Sequence, residues 1–453
     1  MTSICRALVE HYRCPEVFLP RCIQKNAAGG EGFFRFGGNV ICYGRSPYST
    51  RGRYVNGNLL DAWPKVAIEE GAAIIPFDPD EVVENLRNER YVGALTGDLM
   101  TSVVRFGRHV YYGLRPTLPF VVRSYIKRAY LAGWERMSFP QWPVDTNVEN
   151  LFENLLKLFL KTQEVSEIPF VWFWPDGFES CAVMTHDVET SAGLDFIDTV
   201  MDLDQSAGVK ASFQLIPEGR YAISETLFRH IRSRGFEVNI HDLNHDGRLF
   251  DDQEDFLRRV HKINDYSQQY GTSGYRSGVM YRNQNWYDAF EFEYDMSVPN
   301  VAHLDAQRGG CCSVMPYFIG KILELPLTTV QDYFLFHILS KHSIELWKQQ
   351  SEIISQHHGM ASFIVHPDYI IEQRTLAVFK QLLEYLAGVR ATGRVWFGLP
   401  GEVNRWWRQR SKMRLIHDGL GWKIDGEGSE RARIAFAYLQ EGQLAYRIMK
   451  LSS

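Results

Sequence analysis

The chain has 453 residues, of which 45% are hydrophobic and 23% are charged, and its formal net charge is −5. This apolar content is too high for a protein that is mainly disordered. The slightly acidic balance argues against a general nucleic-acid-binding protein, which needs a basic face. No apolar run reaches about 18 residues, so we expect no transmembrane helix. The first residues lack a long apolar core and carry Glu10, His11 and Arg13, which favours a cytoplasmic protein over a secreted one.

The seven cysteines show neither a zinc-module spacing nor a CxxC pair. They stand at positions 5, 14, 22, 42, 181, 311 and 312. In a cytoplasmic protein such cysteines are expected to remain reduced thiols.

Residues 1–165 form a mixed N-terminal region. Asp78 precedes the stretch DEVVENLRNERY, whose early acidic residues are typical of the first turn of a helix. The later stretch NVENLFENLLKLFLK has apolar residues at helical spacing, which predicts a helix that packs on the core.

Residues 166–401 alternate between short apolar runs and helix-length amphipathic stretches. The eight runs lie at 181–187, 210–217, 236–241, 273–277, 294–298, 321–326, 361–366 and 394–399. Alternation of strands and helices predicts a parallel sheet covered by helices. Seven or eight such units favour an α/β fold of the closed or nearly closed (β/α) barrel type.

Residues 402–453 begin with a stretch that contains WWRQR and continue with four strand-like runs separated by turn residues. This pattern predicts a small antiparallel β module that packs on the barrel. We expect the tryptophans to dock the connecting stretch, and we expect no nucleic acid to bind there.

Polar and titratable residues gather where four of the predicted strands end. They are, in chain order, Asp187 and Glu189, His241 and His245, Arg276, and His366. Each of them alone has an ordinary structural explanation, such as a helix cap, a surface ion pair or a hydrogen-bonded core histidine. Together they are harder to dismiss, because the strand ends of a parallel barrel converge on one mouth, where active sites lie.

This set of side chains contains what metal-assisted hydrolysis of an amide or ester requires. Two imidazoles one helical turn apart and one carboxylate can bind a metal and leave room for water. A second carboxylate can act as a base, and a histidine opposite can protonate a leaving amine.

At these residues the chain resembles the polysaccharide deacetylase family, which is also known as the NodB-homology or carbohydrate esterase 4 family. The resemblance covers about residues 170–400. The segments that carry it are Thr185-His186-Asp187-Val188-Glu189, His241-Asp242-Leu243-Asn244-His245, Tyr275-Arg276-Ser277-Gly278 and Ile364-Val365-His366. It implies a distorted (β/α)7-type barrel and removal of acetyl groups from an N-acetylated carbohydrate, with a divalent metal that is most often zinc.

The resemblance also implies roles for single residues. Val188 stands where the family has a second aspartate, so two assignments of the first motif remain open. In the one that we prefer, Asp187 is the base and Glu189 binds the metal with His241 and His245. In the other, Asp187 binds the metal and the base is unassigned.

Further roles follow from the remaining motifs. Arg276 would hold Asp187 ionised and oriented, and His366 would protonate the departing amine. Asp332 is a candidate for tuning His366. Asp242 replaces the usual hydroxyl residue and would support His245, and the third motif lacks its proline, so we expect a different substrate groove.

The segment 302–312 follows the strand at 294–298 and should reach the same mouth. Asp305 and Arg308, together with Tyr275 of the third motif, are candidates for substrate binding. Cys311 and Cys312 could add soft metal ligands, but buried thiols are the simpler interpretation.

The sequence is consistent with three functions. The one that we prefer is a metal-dependent carbohydrate deacetylase. The alternatives are a hydrolase of another amide, including small cyclic amides, on the same barrel, and a non-catalytic carbohydrate-binding relative. The substrate, the metal and the oligomeric state do not follow from the sequence.

Overall fold

The structure is a computed structural model. It describes residues 2–3, 5–18, 22–24, 29–50, 59–69, 72–96, 120–162, 165–419 and 421–449. Among the helices of these residues, none combines the length and the apolar character that crossing a membrane requires.

The N-terminal region contains two small sheets and several helices. Its described strands are β1 (Thr2–Ser3), β2 (Cys22–Gln24), β3 (Glu31–Arg35), β4 (Ile41–Arg45), β5 (Ala67–Glu69) and β6 (Ala72–Ile75). Its described helices are α1 (Arg6–Tyr12), α2 (Pro79–Arg87), α3 (Val92–Thr96), α4 (Phe120–Leu131) and α5 (Asn147–Thr162). One sheet has the order β1-β2-β6-β5, and β3 and β4 form a hairpin.

Both helices that the sequence predicts in this region are present. The side chain of Asp78 accepts hydrogen bonds from the backbone N–H groups of Asp80 and Glu81, which caps the start of α2. Helix α5 turns Leu151, Phe152 and other apolar side chains into the core.

The barrel is built on a curled nine-stranded sheet preceded by β7 (Glu167–Val171). Its strands are β8 (Ser180–Val188), β9 (Ala211–Leu215), β10 (Glu237–His241), β11 (Gly274–Arg276), β12 (Tyr294–Asp295), β13 (Tyr317–Ile319), β14 (Ile322–Glu324), β15 (Met360–Ile364) and β16 (Val395–Phe397). The order is β13-β14-β12-β11-β10-β9-β8-β15, and β16 also pairs with β8. All eight predicted strands are present and run parallel to their neighbours, and β13 alone is an antiparallel addition at the edge.

The sheet is not closed by a backbone ladder between β14 and β15, as far as residues 165–419 show. Threonine side chains bridge the gap instead: the Thr328 hydroxyl donates to the Met360 carbonyl at 2.7 Å, and the Thr329 hydroxyl donates to the Ser362 carbonyl at 2.7 Å. The expected distorted (β/α)7-type barrel is therefore confirmed.

Helices cover the outer face of this sheet. They are α6 (Ser191–Asp195), α7 (Ile197–Ala207), α8 (Glu225–Ser233), α9 (Gln253–Tyr270), α10 (Glu345–Gln356) and α11 (Gln373–Ala391). Apolar side chains of the strands and helices form one buried cluster between the two layers. This layered packing holds the strand ends in fixed positions.

The two ends of the chain meet beneath the barrel. Helix α12 (Pro400–Lys412) leads to β17 (Arg414–His417), β18 (Trp422–Asp425), β19 (Ile434–Gln440) and β20 (Gln443–Ile448). The four strands that the sequence predicts are thus present. They do not form a self-contained module, because β19 pairs with β20 on one side and with β7 on the other.

The WWRQR stretch lies in helix α12 and is docked by its tryptophans, as expected. Trp406 Nε1 donates to the Phe173 carbonyl at 2.8 Å, and the Trp407 ring centroid lies 5.5 Å from that of Trp174. The buried Arg410 donates to three carbonyl groups, those of Val171, Trp172 and His11. Side chains from the N-terminal region, β7 and the C-terminal strands share one hydrophobic cluster.

We expect Arg410→Met to lower the free energy of unfolding by about 3 kcal/mol, because it leaves three buried carbonyl groups without their donor. Arg405→Met, on the exposed side of the same helix, should change it little. Urea unfolding of both variants measures the difference. Equal stability of the two variants would contradict the structural role of Arg410.

Candidate metal centre and active site

Strand alternation brings Asp187 and Glu189 to the inner side of the barrel. Side chains two residues apart in a strand point to the same face. Asp187 is the penultimate residue of β8, and Glu189 follows the strand. His186 points the other way, where its Nε2 lies 2.9 Å from Asp204 Oδ2 and its Nδ1 lies 2.7 Å from the Val365 carbonyl.

His241 and His245 lie on a strand end and the loop that follows, and not on a helix. His241 ends β10, and the backbone at Asp242 and His245 has φ values of 57° and 55°. Positive φ in residues other than glycine is a strained conformation that is often found at functional sites. The turn brings the two imidazole centroids to 4.8 Å from each other.

Glycine is required where the third motif passes this loop. A Cβ atom on Gly278 would lie 2.3 Å from Asp242 Oδ2 and 3.2 Å from His245 Cδ2. Val279 and Met280, which follow, also have positive φ. The strained segments at 242–245 and 278–280 are therefore packed directly against each other.

Glu189, His241 and His245 form a group whose ligand atoms all lie within 4.8 Å of one another. Glu189 Oε1 lies 3.3 Å from His245 Nε2. The buried His241 Nε2 has no hydrogen-bond partner, which is unusual for a buried polar atom. Two imidazoles and one carboxylate with an unpaired nitrogen fit a zinc-type ion with an open coordination position.

The charge states of His241 and Glu189 also suit metal binding, which needs a neutral imidazole and an ionised carboxylate. Burial lowers the pKa of His241 to about 4. Burial alone would raise the pKa of Glu189, but His245 and then His366 hold it well below its usual value.

Asp187 lies beside this group and not within it. Its Oδ2 is 3.9 Å from His241 Nε2 and 3.7 Å from Arg276 Nη1, and neither carboxylate oxygen has a hydrogen-bond partner. Burial would raise the pKa of Asp187, but Arg276, His241 and His366 hold it below its usual value. The result is an ionised carboxylate with free lone pairs, which is what a general base requires.

Arg276 is fixed by its neighbours inside the barrel. It is fully buried, and its Nη2 donates to Thr185 Oγ1 at 3.0 Å. Its backbone carbonyl lies 3.1 Å from His241 Nδ1 and so orients that ring, leaving Nε2 to face the ligand group.

His366 and Asp332 form a buried pair at the mouth of the barrel. His366 follows β15, and Asp332 follows β14. His366 Nδ1 lies 2.6 Å from Asp332 Oδ1, and the His366 backbone N–H donates to Asp332 Oδ2 at 2.8 Å. Burial lowers the pKa of His366, but Asp332 outweighs it and raises the value to about 10. His366 Nε2 lies 3.8 Å from Glu189 Oε1, so a charged imidazole faces the ligand group.

Asp368 and Tyr369 hold Glu189 in place, and neither residue was assigned a role in the sequence analysis. The Glu189 backbone N–H donates to Asp368 Oδ2 at 2.9 Å, and the Tyr369 hydroxyl donates to Glu189 Oε2 at 3.0 Å. A Cβ atom on Gly193 would lie 2.3 Å from Asp368 Oδ2, so glycine lets this carboxylate approach the chain. The only sequence signal was their position directly after His366.

We expect Tyr369→Phe to weaken metal binding by about 10- to 100-fold, because Glu189 loses the hydrogen bond that orients it. Titration with zinc against a competing chelator measures this change. Tyr385→Phe, on the covering helix α11, is the control. Wild-type affinity in Tyr369→Phe would show that the contact does not hold the ligand.

The group opens into a cleft. The described residues that line it are Tyr130, Leu131, Glu189, His245, Val279, Leu304, Asp305, Ala306, Gln331, Tyr333, Phe334, His366 and Tyr369. Of the three residues proposed for substrate binding, Asp305 is among them, and Gln331 Nε2 donates to its Oδ1 at 3.3 Å.

Arg308 and Tyr275 do not line this cleft. Arg308 Nη2 donates to the carbonyl of Tyr130, a lining residue, at 3.4 Å, and Arg308 Cζ lies 5.4 Å from the centroid of the Tyr130 ring. Tyr275 precedes Arg276 in β11, so alternation turns it outward, where it packs against Phe290 and Phe292. Contact of either residue with a substrate stays a prediction.

The six cysteines whose side chains the structure describes take no part in the site. They are buried thiols outside any disulfide. Cys311 and Cys312 belong to this set, as the simpler interpretation of that pair expects, and Cys312 Sγ contacts the Tyr91 hydroxyl.

The N-terminal region fixes the loops that border the cleft. Arg282 Nε donates to Glu89 Oε2 at 2.6 Å, and the Gly310 backbone N–H donates to Glu89 Oε1 at 2.6 Å. The Tyr91 hydroxyl donates to the Gly310 carbonyl at 2.6 Å. The loops after β11 and β12 are thus tied to the region before the barrel.

No protein-family model matches the chain, and no curated protein matches it with significance. Among solved structures, it is similar to a Mycobacterium smegmatis protein assigned as a polysaccharide deacetylase, at 16% identity and a TM-score of 0.41, over 52% of this chain and 93% of that one. It is also similar to PuuE allantoinase, at 12% identity and a TM-score of 0.41, over 52% and 92% of the two chains. A family 4 carbohydrate esterase from Streptomyces lividans shows 12% identity and a TM-score of 0.32, over 49% and 93%. The solved structures similar to this chain therefore include polysaccharide deacetylases, the family that its motifs resemble.

Proposed function

We propose that the chain is a metal-dependent hydrolase that removes acetyl groups from an N-acetylated carbohydrate. The observation that carries the proposal is the convergence of Glu189, His241 and His245 at an open cleft, with Asp187 beside His241 and His366 beside Glu189. Three of the four motifs that resemble the deacetylase family contribute all five of these residues.

The roles follow from charge and position. Glu189, His241 and His245 would hold a zinc-type ion, which would act as a Lewis acid toward water and an acyl carbonyl. Asp187 accepts a proton from the attacking water, and Arg276 keeps its carboxylate ionised. His366, charged because of Asp332, donates a proton to the departing amine.

The residues that line the cleft support a carbohydrate as the substrate. Asp305 and Gln331 offer polar groups for hydroxyls. The Tyr369 ring centroid lies 4.9 Å from that of His366 and 5.3 Å from that of Tyr333, and such rings can pack on the apolar face of a sugar. A cleft with apolar walls and a few placed polar groups is typical of a small-molecule site.

Acetate release tests this proposal. Zinc-loaded protein is incubated with N-acetylglucosamine oligomers, with small cyclic amides and with buffer alone, and acetate and ammonia are measured. Acetate from the oligomers supports the deacetylase. Turnover of a cyclic amide without acetate favours the other amide hydrolase, and sugar binding without any turnover favours a non-catalytic relative.

We expect Asp332→Asn to shift the alkaline side of the pH–activity profile to lower pH. Asp332 raises the pKa of His366, and the proton donor is charged only below that pKa. Without the carboxylate, His366 loses its proton at a lower pH, so activity falls earlier as the pH rises. Activity measured from pH 6 to 10 tests this; an unchanged alkaline limb would contradict the proton-donor role.

A further inference from the structure

Helix α4 lies at the mouth of the cleft, with its C-terminal end fixed there. Tyr130 and Leu131 line the cleft together with the catalytic candidates. The Tyr130 hydroxyl donates to the Ala306 carbonyl at 3.1 Å. Arg128 donates to the His337 carbonyl through Nε at 2.9 Å and through Nη2 at 2.7 Å.

Four apolar and aromatic side chains that the structure describes on this helix are exposed to solvent. Val122 is 40% exposed, Tyr125 74%, Ile126 37% and Tyr130 42%. These positions have the spacing i, i+3, i+4 and i+8, so they share one side of the helix. Clustered exposed side chains of this kind mark a surface that contacts something apolar, whereas single ones need no explanation.

The charge of this helix is opposite to that of the chain as a whole. Its twelve residues include Arg123, Lys127 and Arg128 and no acidic residue. In the sequence, the stretch 99–131 holds six basic and no acidic residues, although the chain carries a net charge of −5; the six are Arg105, Arg108, Arg115, Arg123, Lys127 and Arg128. Basic residues combined with exposed apolar and aromatic ones are typical of helices that lie in the interface of an anionic membrane.

We propose that α4 docks the protein on an anionic membrane surface. Val122, Tyr125 and Ile126 enter the interface, and the sequence of the helix, which is basic and holds no acidic residue, favours anionic over neutral lipid. Tyr130 and Leu131 join the helix to the cleft, so docking brings the cleft to the membrane surface. The inference depends only on α4 and is independent of the reaction that the site performs.

Vesicle sedimentation tests this docking with the full chain. Vesicles of phosphatidylglycerol and phosphatidylcholine are compared with vesicles of phosphatidylcholine alone. The test variant is Val122→Ser/Tyr125→Ser/Ile126→Ser. The matched control, Leu257→Ser/Ile371→Ser/Ile416→Ser, removes three comparably exposed apolar side chains elsewhere on the surface.

The wild type and the control variant should sediment with anionic vesicles and should be released by high salt. The test variant should bind about tenfold more weakly or worse while keeping the wild-type circular dichroism spectrum. Equal binding of the two triple variants, or no sedimentation of the wild type, would overturn the proposal. So would light scattering that shows a dimer of the wild type that the test variant alone disrupts, because a second copy would then cover this face.

Discussion

Asp187→Asn is expected to lower kcat by about 10³-fold while the protein keeps its metal, because the amide cannot accept the proton of the attacking water. The change preserves the shape of the side chain and leaves Glu189, His241 and His245 untouched. Metal content and kcat therefore separate the two assignments of the first motif. If Asp187 were a ligand, the variant would lose metal as well as activity.

The stability of the Asp187→Asn variant must also be measured, because Asp187 lies beside a buried arginine. Arg276 is fully buried, and its contact with Asp187 is the closest ion pair of that guanidinium within the described residues. Thermal unfolding of the variant therefore accompanies the kinetics, with Asp265→Asn on the exposed side of helix α9 as the matched control. A folded, metal-loaded Asp187→Asn protein with full activity would remove Asp187 from the mechanism.

The strands and the principal site could be predicted from the sequence because the patterns that indicate them are local. Eight apolar runs bounded by turn residues and amphipathic stretches correspond to eight parallel strands. A parallel barrel places all strand ends at one mouth, so residues as distant in sequence as Asp187 and His366 could be predicted to meet. The proposed pairing of Asp332 with His366 is also seen in the structure.

The direction of a side chain within a short strand was harder to predict. Tyr275 and Arg276 are adjacent, and both were proposed for the site. Only Arg276 points inward, because neighbouring residues of a strand face opposite sides. Arg308 contacts Tyr130, which lines the cleft, but is not itself among the lining residues. A loop has no period that would indicate such a direction beforehand.

Contacts between segments that are distant in sequence were the hardest feature to predict. The pairing of β7 with β19 joins the start of the predicted barrel to the C-terminal strands, so the boundaries at 166 and 402 cut through one hydrophobic cluster. The contact of Glu89 with Arg282 likewise links the N-terminal region to the cleft. Each depends on tertiary packing that no local pattern encodes.

The double variant His241→Ala/His245→Ala is expected to abolish turnover, because a single remaining carboxylate cannot hold a zinc-type ion. Both side chains are buried at the strand end, so folding is checked by circular dichroism. His261→Ala is the matched control, since that imidazole is largely exposed on helix α9. The control should retain wild-type activity.

The most direct test of the proposed metal centre is the metal content of the purified protein, measured beside that of this double variant. About one transition-metal ion per chain in the wild type and in His261→Ala, lost in His241→Ala/His245→Ala, is the result that we expect. Elemental analysis after incubation with zinc and removal of the free ion gives the answer. Metal in equal amounts in all three proteins, or in none of them, would contradict a metal centre at Glu189, His241 and His245.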